Sequence, residues 1–362
     1  MVLSRKQKAA QQEYQKGFTE RYKRYIRYKI VFLVSVMLVL LVLVVAAAAT
    51  GSIPIAFGNV ISVLIQRNAE GMGRIVWDVR MPRIIAAVLV GAGLSVSGTV
   101  MQSVLKNPLA SPYTLGISSA AAFGASFAIV FLQAGTGSAS SIIIHNPYVV
   151  TITAFACSVL AASAILLLTS LTRISAESMV LSGIAIGAMF SAGLTLMQYM
   201  ADSVQLANII SWTFGDLGRS NWRILALITW VLIPMYILFL YHRWDFNAMD
   251  AGEETARGLG VNTNRVRITA MIGASLVSAV IVSFFGIISF IGLLGPHIAK
   301  RIIGGDHRYG MIASPLIGAV VLLAADTAAR TVLSPMVLPV GILTSMLGGP
   351  LFIYLLIRRT RK

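Results

Sequence analysis

Apolar residues run along this chain in long blocks, separated by short charged or turn-forming stretches. Reading blocks against breaks predicts helices at about 30–50, 81–104, 113–133, 149–171, 178–200, 222–241, 266–288, 289–302, 309–332 and 341–357. At about 1.5 Å of rise per residue, some 20 residues span a hydrocarbon core roughly 30 Å thick. The 289–302 block is too short for a full crossing and is split from its predecessor by Gly286 and the small residues around it. It reads as a shorter buried helix, because irregular backbone is tolerated at membrane depth where protein covers it. Residues 204–218 are too polar for lipid and predict another helix that does not cross, with Trp212 suited to an interface. The expected fold class is an all-α, polytopic membrane protein of about ten transmembrane helices. One transmembrane unit, 30–358, follows a basic tail, 1–29, and precedes a short tail, 359–362.

Composition agrees with this pattern. The 362 residues are 57% hydrophobic and 12% charged, against roughly a quarter charged in soluble domains. A net charge of +16 would suggest a nucleic-acid partner in a soluble chain. Here the basic residues collect at the ends of apolar blocks, so membrane lipid explains them and no nucleic acid is expected. With ten crossings and an inner N-terminus, 22 of the 29 Lys and Arg fall on inner segments, the positive-inside asymmetry that puts both termini in the cytoplasm. The single cysteine, Cys157, sits inside an apolar block and has no partner in the chain. Ile30 to Ala49 is longer than a signal-peptide core and reads as a retained span. Before it, Tyr14, Phe18, Tyr22 and Tyr25 recur at helical spacing among Lys and Arg, which suits an amphipathic helix in the inner headgroup layer; a solvated basic tail is the alternative.

Small residues recur every four positions at Gly116, Ala120 and Gly124 and at Gly183, Gly187 and Ser191, allowing close helix approach in lipid. The chain has no Gly-x-x-x-x-Gly-Lys-Ser/Thr phosphate loop and no His-Glu-x-x-His pair, and His145, His242, His297 and His307 lie on separate segments. No catalytic residue, cofactor site or metal site is therefore expected. Asp326 precedes Arg330 by four residues, the order that pairs on a helix, and reads as a structural ion pair rather than a proton relay. The energy for any transport must then come from elsewhere. In Arg80-Met81-Pro82-Arg83, Pro82 suits a first helical position and places Arg83 in a first turn, where the helix dipole disfavours a cation. Such a pair can receive a carboxylate from outside or contact headgroups.

From Val31 to Arg358 the chain resembles the iron-chelate and vitamin B12 importer permeases, the membrane subunits of type II ABC importers. The resemblance rests on Arg80 to Gly116, including Asn107-Pro108-Leu109-Ala110, on Gly252-Glu253-x-x-Ala256-Arg257-x-Leu259-Gly260, and on Gly292 to Arg301. It implies that Arg80, Arg83 and Arg330 meet glutamates of an extracytoplasmic substrate-binding protein. It implies a coupling segment at about 245–262 that grips an ATPase through Asp250, Gly252, Glu253, Glu254, Ala256, Arg257, Leu259 and Gly260. The turn Ser175, Ala176, Glu177 and Ser178 aligns with an inner gate, although Glu177 departs from the usual short polar residues. The pathway would follow the fifth span, Met179 to Met200 with Met197 on it, and the short helix after it, between two copies of the permease or the subunits of a close heterodimer. Two cytoplasmic ATPase subunits would bind the ATP and Mg, in the cell membrane of a prokaryote. The implied cargo is a ferric siderophore, with haem and cobalamin as alternatives. Other classes are an ATP-independent channel or secondary carrier, and an intramembrane enzyme, for which no nucleophile, base or metal cluster of recognisable spacing is present.

Overall fold

A computed structural model describes residues 5–51, 55–66, 71–134, 147–172, 175–333 and 336–360. The described chain is helical, with no strand among those residues. The helices are α1 (Arg5–Ala49), α2 (Phe57–Gln66), the single turn α3 (Met72–Arg74), α4 (Met81–Val104), α5 (Ile117–Phe131), α6 (Pro147–Thr172), α7 (Ala176–Met200), α8 (Ser203–Thr213), α9 (Trp222–Tyr241), α10 (Arg243–Ala251), α11 (Glu253–Gly258), α12 (Thr263–Phe285), α13 (Ile291–Ile303), α14 (His307–Thr331) and α15 (Val340–Thr360). Each of the ten predicted blocks is a helix. Seven are long and apolar enough to cross a membrane among the described residues, while α5 and α13 have only 15 and 13 residues.

Three boundaries differ from the sequence reading, each for a physical reason. The third block begins at Ile117 instead of 113, because Gly116 at φ 78° turns the chain between Pro112 and α5. Residues 5–29 do not form a separate helix lying along the headgroups; they belong to α1, which runs on without a break. Its 45 residues make a helix about 67 Å long, more than twice the hydrocarbon thickness. The extension is tied down at Lys29, which is buried beneath the rings of Tyr25 and Tyr309 at 4.2 and 4.5 Å. Nor does a free helix start at Pro82. The chain is already helical from Met72, and a π-helical stretch, Ile75–Arg80, feeds directly into α4. A π turn lets the helix pass a residue that has no N–H to donate. Arg83 therefore sits inside a continuous helix, and the dipole argument for an external anion does not apply to it.

α4 is the centre of the molecule and packs against α12, α13 and α14. Its backbone approaches α14 at Gly91, where a Cβ would lie 2.4 Å from the Gly318 carbonyl oxygen, and approaches α13 at Gly98, where it would lie 1.8 Å from that of Gly292. Between them Ser95 packs on Gly295 and Gly318. The stripes read from sequence serve the same purpose elsewhere: Gly116 meets Gly187 on α7, and Gly124 meets Thr153 on α6. α12 ends at Gly286 (φ 75°), and the non-helical residues up to Phe290 are covered by the end of α8 and the start of α15.

Candidate functional site

Two clusters of charge mark the two ends of the bundle. At one end Asp326 on α14 is fully buried and accepts hydrogen bonds from two arginines. Arg83 Nε donates to Oδ1 at 2.9 Å, and Arg330 Nε donates to Oδ2 at 3.1 Å. The i,i+4 pair expected on α14 thus shares its carboxylate with a residue of α4. Arg330 also donates to the Thr50 and Ala47 carbonyls at 3.3 and 3.4 Å, and Arg80, itself buried, donates to those of Ala48 and Ala49. Cations so placed satisfy carbonyls left open by the end of α1 and complement its dipole. A second carboxylate, Asp216, lies 3.7 Å from Arg83. Arg80, Arg83 and Arg330 therefore lie together at this end of the bundle, and the hydrogen bonds named here run to groups of this chain.

At the opposite end, α10 and α11 form a short bent unit between α9 and α12. Gly252 at φ 135° makes the bend, and Gly260 at φ 84° terminates α11, with the Val261 and Gly260 N–H groups donating to the Ala256 and Arg257 carbonyls. Only glycine takes such conformations freely, so the Gly-x-x-x-x-x-x-x-Gly frame is a backbone requirement. Ala256 is buried under the unit, while Glu254, Arg257 and Leu259 are exposed on it. Glu253 accepts from Arg257 at 2.8 Å and from the fully buried Arg267 at 3.0 Å. Arg267 also donates to the Val104 carbonyl, joining this unit to the end of α4.

Asp250 is the junction. Its carboxylate accepts from Ser103 on α4 at 2.9 Å, from Lys300 on α13 at 3.3 Å, and contacts His307 Nε2 on α14 at 3.2 Å. Burial alone would raise its pKa; the His307 hydrogen bond and charge, the Lys300 charge and the Ser103 hydroxyl outweigh that and hold it at about 2. The carboxylate is therefore ionised at every physiological pH. Asn247, one turn earlier, donates to Asp306 at 3.1 Å and accepts from the His307 backbone N–H at 2.8 Å. Asp306 too is opposed by burial yet held at about 2, chiefly by Arg308. Movement of α10 must pull on α4, α13 and α14 together. Nothing in the spacing of Ser103, Asp250, Lys300 and His307 signals this junction; only the fold brings them together.

The expected gate residues play a visible structural part. Ser175 and Ser178 cap α7 reciprocally: the Ser175 hydroxyl accepts from the Ser178 N–H at 3.1 Å, and the Ser178 hydroxyl accepts from the Ser175 N–H at 3.3 Å. Ala176 and exposed Glu177 fill the first turn, where an acid suits the dipole. Met197 was expected on the pathway but is buried inside the protomer, because its side of α7 packs inward; Met200 is exposed. α7 also presents Leu181, Ile184, Met189 and Tyr199 on its uncovered side. No group of three or more potential metal ligands occurs among the described residues, and His145 lies outside them.

A family model described as the FecCD transport family matches residues 38–358. A protein of Methanocaldococcus jannaschii assigned as an ABC transporter permease is 46% identical over 344 residues, 95% of this chain and 99% of that one. The hemin transport system permease protein HmuU of Yersinia pestis is 36% identical over 80% of this chain and 85% of its own. A solved inward-facing structure assigned to the metal-chelate type of ABC transporter superposes with a TM-score of 0.76 at 27% identity, covering 92% of this chain and 99% of that one.

Proposed function

The chain belongs to the FecCD transport family and is the permease subunit of an ABC importer of the iron-chelate, haem and vitamin B12 class; from that premise we propose that it carries a ferric siderophore. Two copies form the passage, two cytoplasmic ATPase subunits bind ATP and Mg, and a substrate-binding protein delivers the cargo from outside. The observation that carries this reading is the bent α10–α11 unit, exposed at Glu254, Arg257 and Leu259 yet bonded through Asp250 to three helices of the bundle. A knob of this kind can transmit closure of a partner into rearrangement of packed helices. ATP then acts through its different affinity for the inward- and outward-open packings. The broad apolar side of α7 suits a second copy along the passage. The orientation follows: the α10–α11 end is cytoplasmic, with both termini, and the Asp326 end faces out.

In vesicles holding the permease with its ATPase, uptake of a ferric siderophore handed over by the binding protein should require ATP and vanish when the ATPase cannot hydrolyse it. Uptake at full rate without ATPase would identify a channel or carrier instead. Uptake of haem or cobalamin alone would replace the cargo and keep the mechanism.

The outer cluster sets Arg83 and Arg330 on Asp326, with Arg80 beside Arg330 and Arg219 beside Asp216, an excess of positive charge to which a carboxylate of the binding protein can add. Ion pairs that water screens are worth about 0–1 kcal/mol, so contacts at the wetted rim of this largely buried cluster would orient docking more than hold it. Arg80→Gln is the cleanest test, since Arg80 donates to carbonyls while Arg83 and Arg330 hold the carboxylate. It should weaken binding-protein capture up to about fivefold, with ATPase co-purification unchanged. Equal capture by both proteins would remove the cluster from the docking site.

A further inference from the structure

Beside the Asp250 junction lies a cavity of about 510 Å3, walled by the ends of α4, α13 and α14. Six titratable groups line it: Lys106, His297, Lys300, Arg301, His307 and the lone acid Asp250. The acid is already committed to Lys300 and His307. Among the described residues, neither Lys106 nor Arg301 has a carboxylate within 4.0 Å. Lys106 acts on the Glu253 carboxylate only from beyond ion-pair distance, and Glu253 is itself paired with Arg257 and Arg267, so two cations face one cleft with no close counter-charge, and low-dielectric walls focus their field into it.

Lys106 strengthens the point. It stands just past the end of α4 at φ 48°, with its N–H donating to the Ser103 carbonyl and that of Asn107 to Gln102. This is the helix-ending position that glycine occupies at Gly260 after α11. A lysine there carries backbone strain that glycine would not. What it adds is a cation at the mouth of the cavity. The floor is polar: Thr99 and Ser314, hydrogen-bonded to each other at 2.7 Å, lie about 8–10 Å along their helices from the α4 and α14 ends. The cavity is therefore set between the spans, away from the exposed tip of α11.

We propose that this cavity binds a phosphate group, held by Lys106 and Arg301 at its mouth. The group comes either from an anionic phospholipid headgroup of the inner leaflet or from a free phosphate ion. Basic pockets between transmembrane helices at the cytoplasmic boundary have the chemistry for such headgroups. The lipid source rests on the proposed orientation; binding itself does not, and it is measured without uptake.

The test uses the purified permease–ATPase assembly. In one arm it is placed in vesicles of phosphatidylcholine with or without phosphatidylglycerol, extracted, and weighed intact by native mass spectrometry for retained lipid. In the other, inorganic phosphate is titrated in detergent and followed by calorimetry. Lys106→Ala combined with Arg301→Ala should weaken the binding about thirtyfold, whereas Arg265→Ala, an exposed cation at the start of α12, should not. Arg301→Lys should retain most of it and guards against a folding defect in the double variant. Retained phosphatidylglycerol that free phosphate does not displace identifies a lipid site; binding in the calorimetric arm identifies a free-ion site. Retention no greater than that of phosphatidylcholine together with no heat from phosphate overturns the proposal, as does a folded double variant that binds like the parent.

Discussion

Asp326→Ala is expected to destabilise the permease by about 3–5 kcal/mol, the cost of removing one partner from a buried ionic cluster. The carboxylate has no exposure and balances Arg83 and Arg330 on two different helices, with Arg80 close by. Without it, like charges are left facing one another inside the protein. The two guanidinium groups are 15% and 10% exposed, so water reaches them and the loss should fall toward the lower end of that range. Replacing all three with well-packed leucines should recover much of the loss, since buried ion clusters exchanged whole for apolar groups are often neutral or better. Thermal unfolding in detergent, followed by tryptophan fluorescence, measures both. A single variant that melts within a degree or two of the parent would show that Asp326 is not the hub. A triple variant no better than the single would show that the cost is lost packing.

The contrast between Asp326 and Asp250 explains how much of the site could be read in advance. The Asp326–Arg330 pair is local, four residues apart on one helix, so spacing alone suggests it. Arg83 reaches the same carboxylate across 243 residues of sequence, and no periodicity encodes that. Asp250 likewise gathers Ser103, Lys300 and His307 from three elements, and only the fold makes it a junction. Helices were legible because each apolar block must satisfy its own backbone in lipid. Their ends were less so: Pro82 signals a start, yet the chain enters it through a π-helical stretch that side-chain pattern does not mark. Short polar residues at Ser175 and Ser178 fit a gate or a cap equally well by composition; the hydrogen bonds show the cap. The glycine frame of α10–α11 was readable because backbone conformation, unlike long-range pairing, is written in residue type.

The same distinction makes Gly98 the position where one added side chain should do most harm by packing alone. Gly98→Val places a Cβ about 1.8 Å from the Gly292 carbonyl oxygen and 2.6 Å from its carbon. Both are backbone atoms, so no side chain can swing away, and α4 must move off α13. That shift cannot stay local, because Gly91 touches Gly318 seven residues earlier and Ser95 lies between, against Gly295. Moving α4 also stretches the hydroxyl chain in which Thr99 donates to Ser314 and Ser314 bonds Ser95, both at 2.7 Å. Overpacking typically costs about 1–3 kcal/mol, and each lost buried hydrogen bond adds about 1 kcal/mol. The total exceeds what most single substitutions do. Gly310→Ala, within α14 and with nothing within 4 Å of the new Cβ, provides the control. It should leave the melting temperature unchanged or raise it slightly, as alanine favours helix by about 0.5–1 kcal/mol over glycine. If Gly98→Val melts with the parent, α4 and α13 do not approach at this point, and the close-packed centre assigned to this permease would have to be redrawn.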